Sequence, residues 1–244
     1  MSKSEWNVTF RISRKKGNQE PYFENFKLDV NPDEYILDAV ERIWAYKDRS
    51  LTFAHACHHS TCGACGMRVN GKEKLTCITL IKDVVKKDGI VTVEPLRNFP
   101  VISDLSVDMG KLYMNMELVG HNPVVSVVEE PYRDEIVPGS GSEGDYLRLS
   151  DCIECGMCIS ACPVATTTAS YLGPAALAGA QQASLKPGNG VVEIVDCADG
   201  VWRCHSAYEC TEVCPSYVEP GSKIMKLRRK VIGRRIKSIF GSSN

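Results

Sequence analysis

The sequence predicts an α+β chain in two parts, a small mixed sheet crossed by one helix and then a mainly α region. Three observations carry this reading. Trp6, Val8, Phe10 and Ile12 alternate with polar residues, the period of a half-buried strand. Ile36, Leu37, Val40, Ile43 and Trp44 recur at helical spacing. Twelve cysteines fall into two groups, Cys57 to Cys77 and Cys152 to Cys214, separated by 74 cysteine-free residues, which suggests two cofactor-bearing domains.

Along the chain, a second extended run from about Tyr22 to Val30 follows the Lys-Lys-Gly-Asn turn at residues 15–18, so the first two strands form a hairpin. Asn31 then offers an N-cap, with Pro32 behind it and Asp33 and Glu34 in the first turn of the amphipathic helix. After the first cysteine loop, Met67 to Gly71 reads as a strand entering a tight Asn-Gly turn, and Gly89 to Val93 as a closing strand. Between Gly110 and Ser150 the mixture of Pro, Gly and acidic residues marks the connection. That stretch holds a formal GxGxxG at Gly139–Gly144, but Pro138 precedes it and Cys162-Pro163-Val164-Ala165 stands where an acidic residue would be needed, so it reads as a loop. From Asp151 onward, helix-favouring runs such as Pro174 to Leu185 alternate with cysteine loops, and only Val191 to Val195 has a strand pattern.

Composition narrows the function. With 244 residues, 29 Lys+Arg and 30 Asp+Glu, the chain can bury real cores and lacks the basic excess of a nucleic-acid binder, so no nucleic-acid partner is expected. The first twenty residues carry no apolar core and no small-residue cleavage site, so no signal peptide is expected. A reduced compartment follows, and structural disulfides are disfavoured. No apolar run is long enough for a transmembrane helix. The uncharged stretch Cys155 to Leu185 is broken by Pro163, Gly173 and Pro174 and reads as buried helix around a cofactor.

The first cysteine group is Cys57-x4-Cys62-x2-Cys65-x11-Cys77. Its C-x4-C-x2-C spacing with a distant fourth thiol is that of plant-type [2Fe–2S] loops, with Gly63 and Gly66 allowing backbone amides close to the sulfides. Zinc modules usually pair two short knuckles, and only one is present. His55, His58 and His59 flank the loop, but a Rieske pattern fails because no C-x2-H follows Cys57-x-His59. They read as a partly solvated flank.

The second group opens Cys152-x2-Cys155-x2-Cys158-x3-Cys162-Pro163, the bacterial ferredoxin run whose fourth cysteine serves the other cluster. Its repeat is Cys204-x5-Cys210-x3-Cys214-Pro215. Alignment from the Cys-Pro ends puts Cys158 against Cys210, Cys152 against Cys204, and Cys155 against Ala207. By the crossing rule, Cys152, Cys155, Cys158 and Cys214 hold a [4Fe–4S] cluster. Cys162, Cys204 and Cys210 are left with three thiolates, and alanine ligates no iron, so their natural occupant is [3Fe–4S]. The alternative is a [4Fe–4S] cluster completed by water or a borrowed thiol. Cys197, not at the expected spacing, reads as a free buried cysteine.

The combination resembles the iron–sulfur subunit of succinate dehydrogenase and fumarate reductase, through the spacings of eleven cysteines and the segments CHHSTCGACGMRVNGKEKLTCIT, DCIECGMCISACP and CHSAYECTEVCP. The resemblance implies a plant-type ferredoxin (β-grasp) domain over 1–110 and a mainly α bacterial ferredoxin-like domain over 111–244. It implies an electron-transfer subunit of a succinate:quinone oxidoreductase, relaying electrons between the FAD of a flavoprotein subunit and membrane quinone, with membrane anchor subunits as further partners. The chain would sit peripherally on the cytoplasmic face of the cell membrane. No catalytic residue is expected on this chain, since substrate chemistry belongs to the flavoprotein. Family members also contribute to a quinone pocket, and the matching positions are Pro163 and His205, the latter equally readable as a hydrogen-bonded group behind the ligands. Where many ubiquinone-linked members carry a tryptophan after the Cys-Pro, this chain has Val164-Ala165-Thr166-Thr167, which points to a menaquinone-like acceptor. Eight basic residues and no acid between Lys223 and Lys237, interspersed with Ile224, Leu227, Val231, Ile232 and Ile236, predict a basic amphipathic helix for membrane-proximal docking. Competing readings are fumarate reduction, a thiol-coupled relative, and a soluble ferredoxin-like carrier or redox-sensing module.

Overall fold

The computed structural model describes residues 5–120, 152–185, 188 and 190–240; the Gly139–Gly144 loop lies outside them. The chain divides into two compact units, residues 1–109 with 153–161 and residues 110–152 with 162–244.

The first unit is built on strands β1 (Trp6–Arg14), β2 (Tyr22–Val30), β3 (Gly66–Val69), β4 (Lys72–Leu75) and β5 (Ile90–Glu94) in the order β2-β1-β5-β3-β4. β1 and β5 run parallel and the other neighbours antiparallel, so the sheet is mixed. Helix α1 (Ile36–Tyr46) buries Ile36, Ala39, Val40 and Ile43 in one core with Val8, Phe10 and Ile12 of β1, Met67 and Val69 of β3, and Val91 and Val93 of β5. The period-two strands and the period-3.6 helix therefore bury the faces that their patterns mark. Asn70 and Gly71 both take positive φ, the two-residue turn that the Asn-Gly pair favours between β3 and β4. A short helix α2 (Ile81–Val84) and a small hairpin of β6 (Val101–Ser103) and β7 (Ser106–Val107) complete the unit.

Helix α1 starts later than its capping signal implies. Asn31 Oδ1 instead accepts from Asp33 N at 3.1 Å, closing a turn. Ile36 N donates to Thr79 O and Ile81 N to Glu34 O, both at 2.9 Å, and these bonds hold residues 34–36 in a bridge to 79–81. The helix begins only after that bridge, where Asp38 Oδ2 accepts from Tyr35 N at 3.1 Å.

Beneath the sheet end lies a buried ion network. Arg14, 2 % exposed, reaches Glu24 at 2.5 Å, Asp48 at 2.6 Å and the fully buried Asp104 at 3.2 Å, and Lys16 pairs with Asp104 at 2.7 Å. Asp104 also accepts from Lys15 N at 3.0 Å and Thr52 N at 2.9 Å. Burial alone would raise the Asp104 carboxyl, but Lys16, the two amides and Arg14 hold it below the usual range. The Arg14 hydrogen bond, with help from Ser50, holds Asp48 down to about 2.

Segment 153–161, which includes α4 (Met157–Ser160), packs in this first unit. Ser160 Oγ donates to Glu73 Oε1 at 2.8 Å and accepts from Arg97 N at 2.9 Å, while Asn98 Nδ2 donates to Ile159 O at 2.7 Å.

The second unit is helical over its described residues: α3 (Gly110–Leu118), α5 (Pro163–Thr167), α6 (Pro174–Ala183), α7 (Val191–Val195), α8 (Glu209–Glu212) and α9 (Pro220–Phe240). Val191–Val195 forms a short helix in place of the strand its composition suggests, because Val191 and Val195, four apart, both turn into the core. Helix α9 lies against α6 and buries Ile224, Leu227 and Val231. Several of its basic side chains are committed within the unit: Arg228 to Val201 O at 2.8 Å, Lys230 to Ser184 O, Arg234 to Glu193 and Arg235 to Asp196, both at 2.5 Å. Towards its C-terminal end Ile232, Ile236, Ile239 and Phe240 are exposed. No helix among the described residues is long and apolar enough to cross a membrane.

Candidate metal centres

The loop between α1 and β3 and the short 3-10 turn Thr76–Ile78 bring four thiols together. His58 and Ser60 hold positive φ, which turns the loop amides inward. Cys57 Sγ accepts from His59 N at 3.5 Å and from Thr61 N and Cys62 N at 3.3 Å, and Cys77 Sγ accepts from Ser60 N at 3.4 Å. Thr76 clamps the two halves, donating from N at 3.2 Å and from Oγ1 at 2.9 Å to Cys65 O. The amides of His59 and Cys62 pull the Cys57 thiol down to about 6, while burial and the adjacent Cys65 push Cys77 up to about 11. A four-thiol donor set with amides aimed at its sulfurs suits a soft, thiolate-ligated metal centre. Gly63 is required for a reason beyond amide access. At φ +74 a Cβ there would lie 2.6 Å from Ile153 O and 2.9 Å from Cys155 Cβ, so the loop admits no side chain at this contact.

A second site forms inside the helical unit. Cys162, Cys204 and Cys210 line one pocket with Pro163, His205 and Ala207 on its exposed rim. Burial pushes the Cys162 thiol up, and burial with the neighbouring Cys162 and Cys204 sulfurs pushes Cys210 up to about 12. Three thiols crowded in an apolar pocket carry negative charge only when a cation offsets it, which fits a metal cluster. Tyr171, buried beside all three, hydrogen-bonds Cys204, and its phenol is pushed up by burial and those sulfurs, so it is a neutral donor. Nothing in the sequence marks Tyr171, which lies nine residues from the nearest ligand.

Of the remaining cysteines, Cys152 and Cys214 pack against Ala178 and Val218, and Cys214 Sγ accepts from Val218 N at 3.4 Å. Cys155 and Cys158 belong to the segment packed in the first unit. Cys197 is exposed and not buried, because it sits in the tight turn closed by Gly200 N on its own carbonyl.

Fold and thiol sites together define an iron–sulfur protein that joins two ferredoxin-type modules. A model described as "2Fe-2S iron-sulfur cluster binding domain" matches residues 9–114, and one described as "4Fe-4S dicluster domain" matches residues 148–218. The fumarate reductase iron-sulfur subunit of Mycobacterium tuberculosis is 32% identical over 96% of each chain. The succinate dehydrogenase iron-sulfur subunit of Coxiella burnetii is 30% identical over 92% of this chain and 97% of its own length. A chain of the Mycobacterium smegmatis Sdh1 complex in the apo form shares the fold, with a TM-score of 0.83 at 24% identity over 96% of this chain and 98% of that one. The chain belongs to the family of fumarate reductase and succinate dehydrogenase iron–sulfur subunits. It is thus the iron–sulfur component of an oxidoreductase, and it carries [2Fe–2S] and [4Fe–4S] domains.

Proposed function

We propose that this chain relays electrons between the FAD of a flavoprotein subunit and a menaquinone-like quinone at a membrane anchor. In this reading Cys57, Cys62, Cys65 and Cys77 hold [2Fe–2S], Cys152, Cys155, Cys158 and Cys214 hold [4Fe–4S], and Cys162, Cys204 and Cys210 hold [3Fe–4S]. Each cluster supplies a one-electron centre whose potential follows its type, charge and hydrogen bonding. The observation that carries the proposal is the pocket where three thiols converge and Ala207 stands in place of a fourth.

The chain's own residues do the tuning. Loop amides stabilise thiolate at Cys57, Thr76 fixes the fourth thiol against Cys65, and the Tyr171 phenol donates to Cys204. Pro163 and His205, on the rim of the same pocket, are positioned to meet a quinone headgroup from the exposed side, with the His205 imidazole as its hydrogen-bond partner. The stripe Ile232, Ile236, Ile239 and Phe240 supports peripheral docking on a membrane anchor at the cytoplasmic face. The names of the relatives favour a second direction, fumarate reduction by electrons from quinol, through the same centres.

The test is metal analysis and EPR on the purified complex. About nine iron atoms per chain and a [3Fe–4S] signal in the oxidised protein are expected. Ala207→Cys should remove that signal and add one iron. Zinc in place of iron, or an unchanged signal in Ala207→Cys, would overturn the assignment. Replacing Ile236, Ile239 and Phe240 with serine should weaken retention on the anchor while iron content stays constant.

A further inference from the structure

The first cysteine loop brings a second constellation together that the relay does not use. Glu41, on the exposed flank of α1, faces His55 and His58. The three ligand atoms form a nearly equilateral triangle: His55 Nδ1 and His58 Nε2 share a hydrogen bond at 3.2 Å, which a bound ion would replace, and Glu41 Oε1 lies 3.1 Å from the first and 3.2 Å from the second.

Two details set this apart from an ordinary surface ion pair. Glu41 Oε1 is shielded from solvent and accepts no hydrogen bond, although two imidazole nitrogens stand within contact distance. Neither ring therefore aims an N–H at it, as a His–Glu ion pair would require. Both rings are also held in place. His55 stacks on Phe53 at 5.1 Å between centroids, and His58 carries a left-handed backbone, φ 61, which is an uncommon conformation for a residue with a side chain. The distances have a natural explanation. Nitrogen and oxygen ligands about 2.0 Å from a tetrahedral zinc ion are separated from one another by about 3.3 Å. The donor set, two imidazoles and one carboxylate, is of the kind that leaves a coordination position open. That position would face the depression lined by Asp38, Arg42 and Tyr46, where water can supply the fourth ligand.

We propose that Glu41, His55 and His58 form a binding site for one divalent transition-metal ion of the zinc class. It staples the start of the [2Fe–2S] loop to helix α1. His58 adjoins Cys57, so the ion fixes the loop at its first thiol.

The experiment is equilibrium dialysis of the intact, iron-loaded complex against Zn2+, with zinc and iron counted together by mass spectrometry. A Cys197→Ser background removes the exposed thiol that would otherwise compete for zinc. One zinc per chain is expected in this background, relative to samples in which His55→Ala, His58→Ala or Glu41→Ala has been added. Each of these should weaken zinc binding at least about tenfold with iron content unchanged. His59→Ala, at the neighbouring histidine outside the triangle, should bind as the parent does. Absence of stoichiometric zinc in the parent, or equal loss in His59→Ala, would overturn the proposal. Iron content reports separately on the clusters, so failure of the zinc site leaves the relay reading standing.

Discussion

Asp104→Asn tests whether the buried ion network, and not the hydrophobic core alone, holds the start of the [2Fe–2S] loop. Asp104 is fully buried, accepts hydrogen bonds from Lys16 Nζ at 2.7 Å, Thr52 N at 2.9 Å and Lys15 N at 3.0 Å, and forms an ion pair with Arg14 Nε at 3.2 Å. Thr52 is the residue from which the loop departs towards Cys57. Asparagine keeps the shape but removes the charge, and it turns one acceptor into a donor that must face a cation or an amide N–H. Breaking one side of a buried ion pair costs about 3–5 kcal/mol. Arg14 keeps Glu24 and Asp48, so the lower end, about 3 kcal/mol, applies. For a unit near 120 residues the unfolding entropy is about 0.25 kcal/mol/K, so the thermal midpoint should fall by about 12 °C. The assay is the midpoint followed by the visible circular dichroism of the cluster in the intact complex. Arg14→Met combined with Asp104→Asn should lose less than the sum of the single variants, because the two groups share one network. A fall below about 3 °C would mean that the hydrophobic core alone holds the loop.

Three further outcomes follow from the geometry. Asp48 is held down to about 2, so its contribution is complete above the ordinary carboxylate range and is lost as pH falls from about 4 towards 2; tryptophan fluorescence should show a steeper loss of denaturant midpoint between about pH 4.5 and pH 2.5 in the parent than in Asp48→Asn. Gly63→Ala meets the backbone of residue 153 at 2.6 Å and should displace the loop with loss of [2Fe–2S] absorbance, whereas Gly17→Ala, also at positive φ but with open space around it, should cost only about 1 kcal/mol in unfolding measurements. Tyr171→Phe removes the hydrogen bond to Cys204, and a net bond of about 1 kcal/mol corresponds to about 40 mV for a one-electron couple, so redox titration should find this centre lower by about that amount.

The elements legible in the sequence are those whose burial follows a local period. Val8, Phe10 and Ile12 announce β1, and Ile36, Val40 and Ile43 announce α1, because alternation and helical spacing each report one buried face. The thiols were legible because ligand loops around small clusters need short, fixed spacings. What escaped depends on partners far apart in the chain. Asn31 looks like a helix cap until the bridge between Tyr35 and Leu80 delays the helix. Glu73, an ordinary acidic residue in a strand, is 7 % exposed because Ser160 donates to it from 87 residues away. Arg14 and Tyr171 are of the same kind, polar groups buried by contacts that no local pattern encodes.

The two thiol sites share burial, which pushes Cys77 up to about 11 at the first as well, and they differ in the amides that outweigh it at Cys57. At the first, backbone amides stabilise charge on an accessible loop, and Cys57 is drawn down to about 6. At the second, burial disfavours charge, and Cys210 is pushed up to about 12. Reduction adds negative charge to a cluster, so a dry pocket by itself lowers the potential, whereas hydrogen-bond donors and solvent access raise it. Ligand count alone does not separate the two centres, because an oxidised [2Fe–2S] core with four thiolates and an oxidised [3Fe–4S] core with three carry the same net charge. Desolvation acts on the whole cluster but is relieved by the Tyr171 donor and the exposed rim at Pro163, His205 and Ala207. Cluster type, the Tyr171 donor and the exposed rim then set the order, and the three-thiolate centre should titrate at a higher potential than the [2Fe–2S] centre in an EPR-monitored redox titration of the complex. Ala207→Cys, which restores the fourth thiolate, should lower it. A potential below that of the [2Fe–2S] centre, or one unmoved by Ala207→Cys, would mean that burial and not cluster type sets the order of the two potentials.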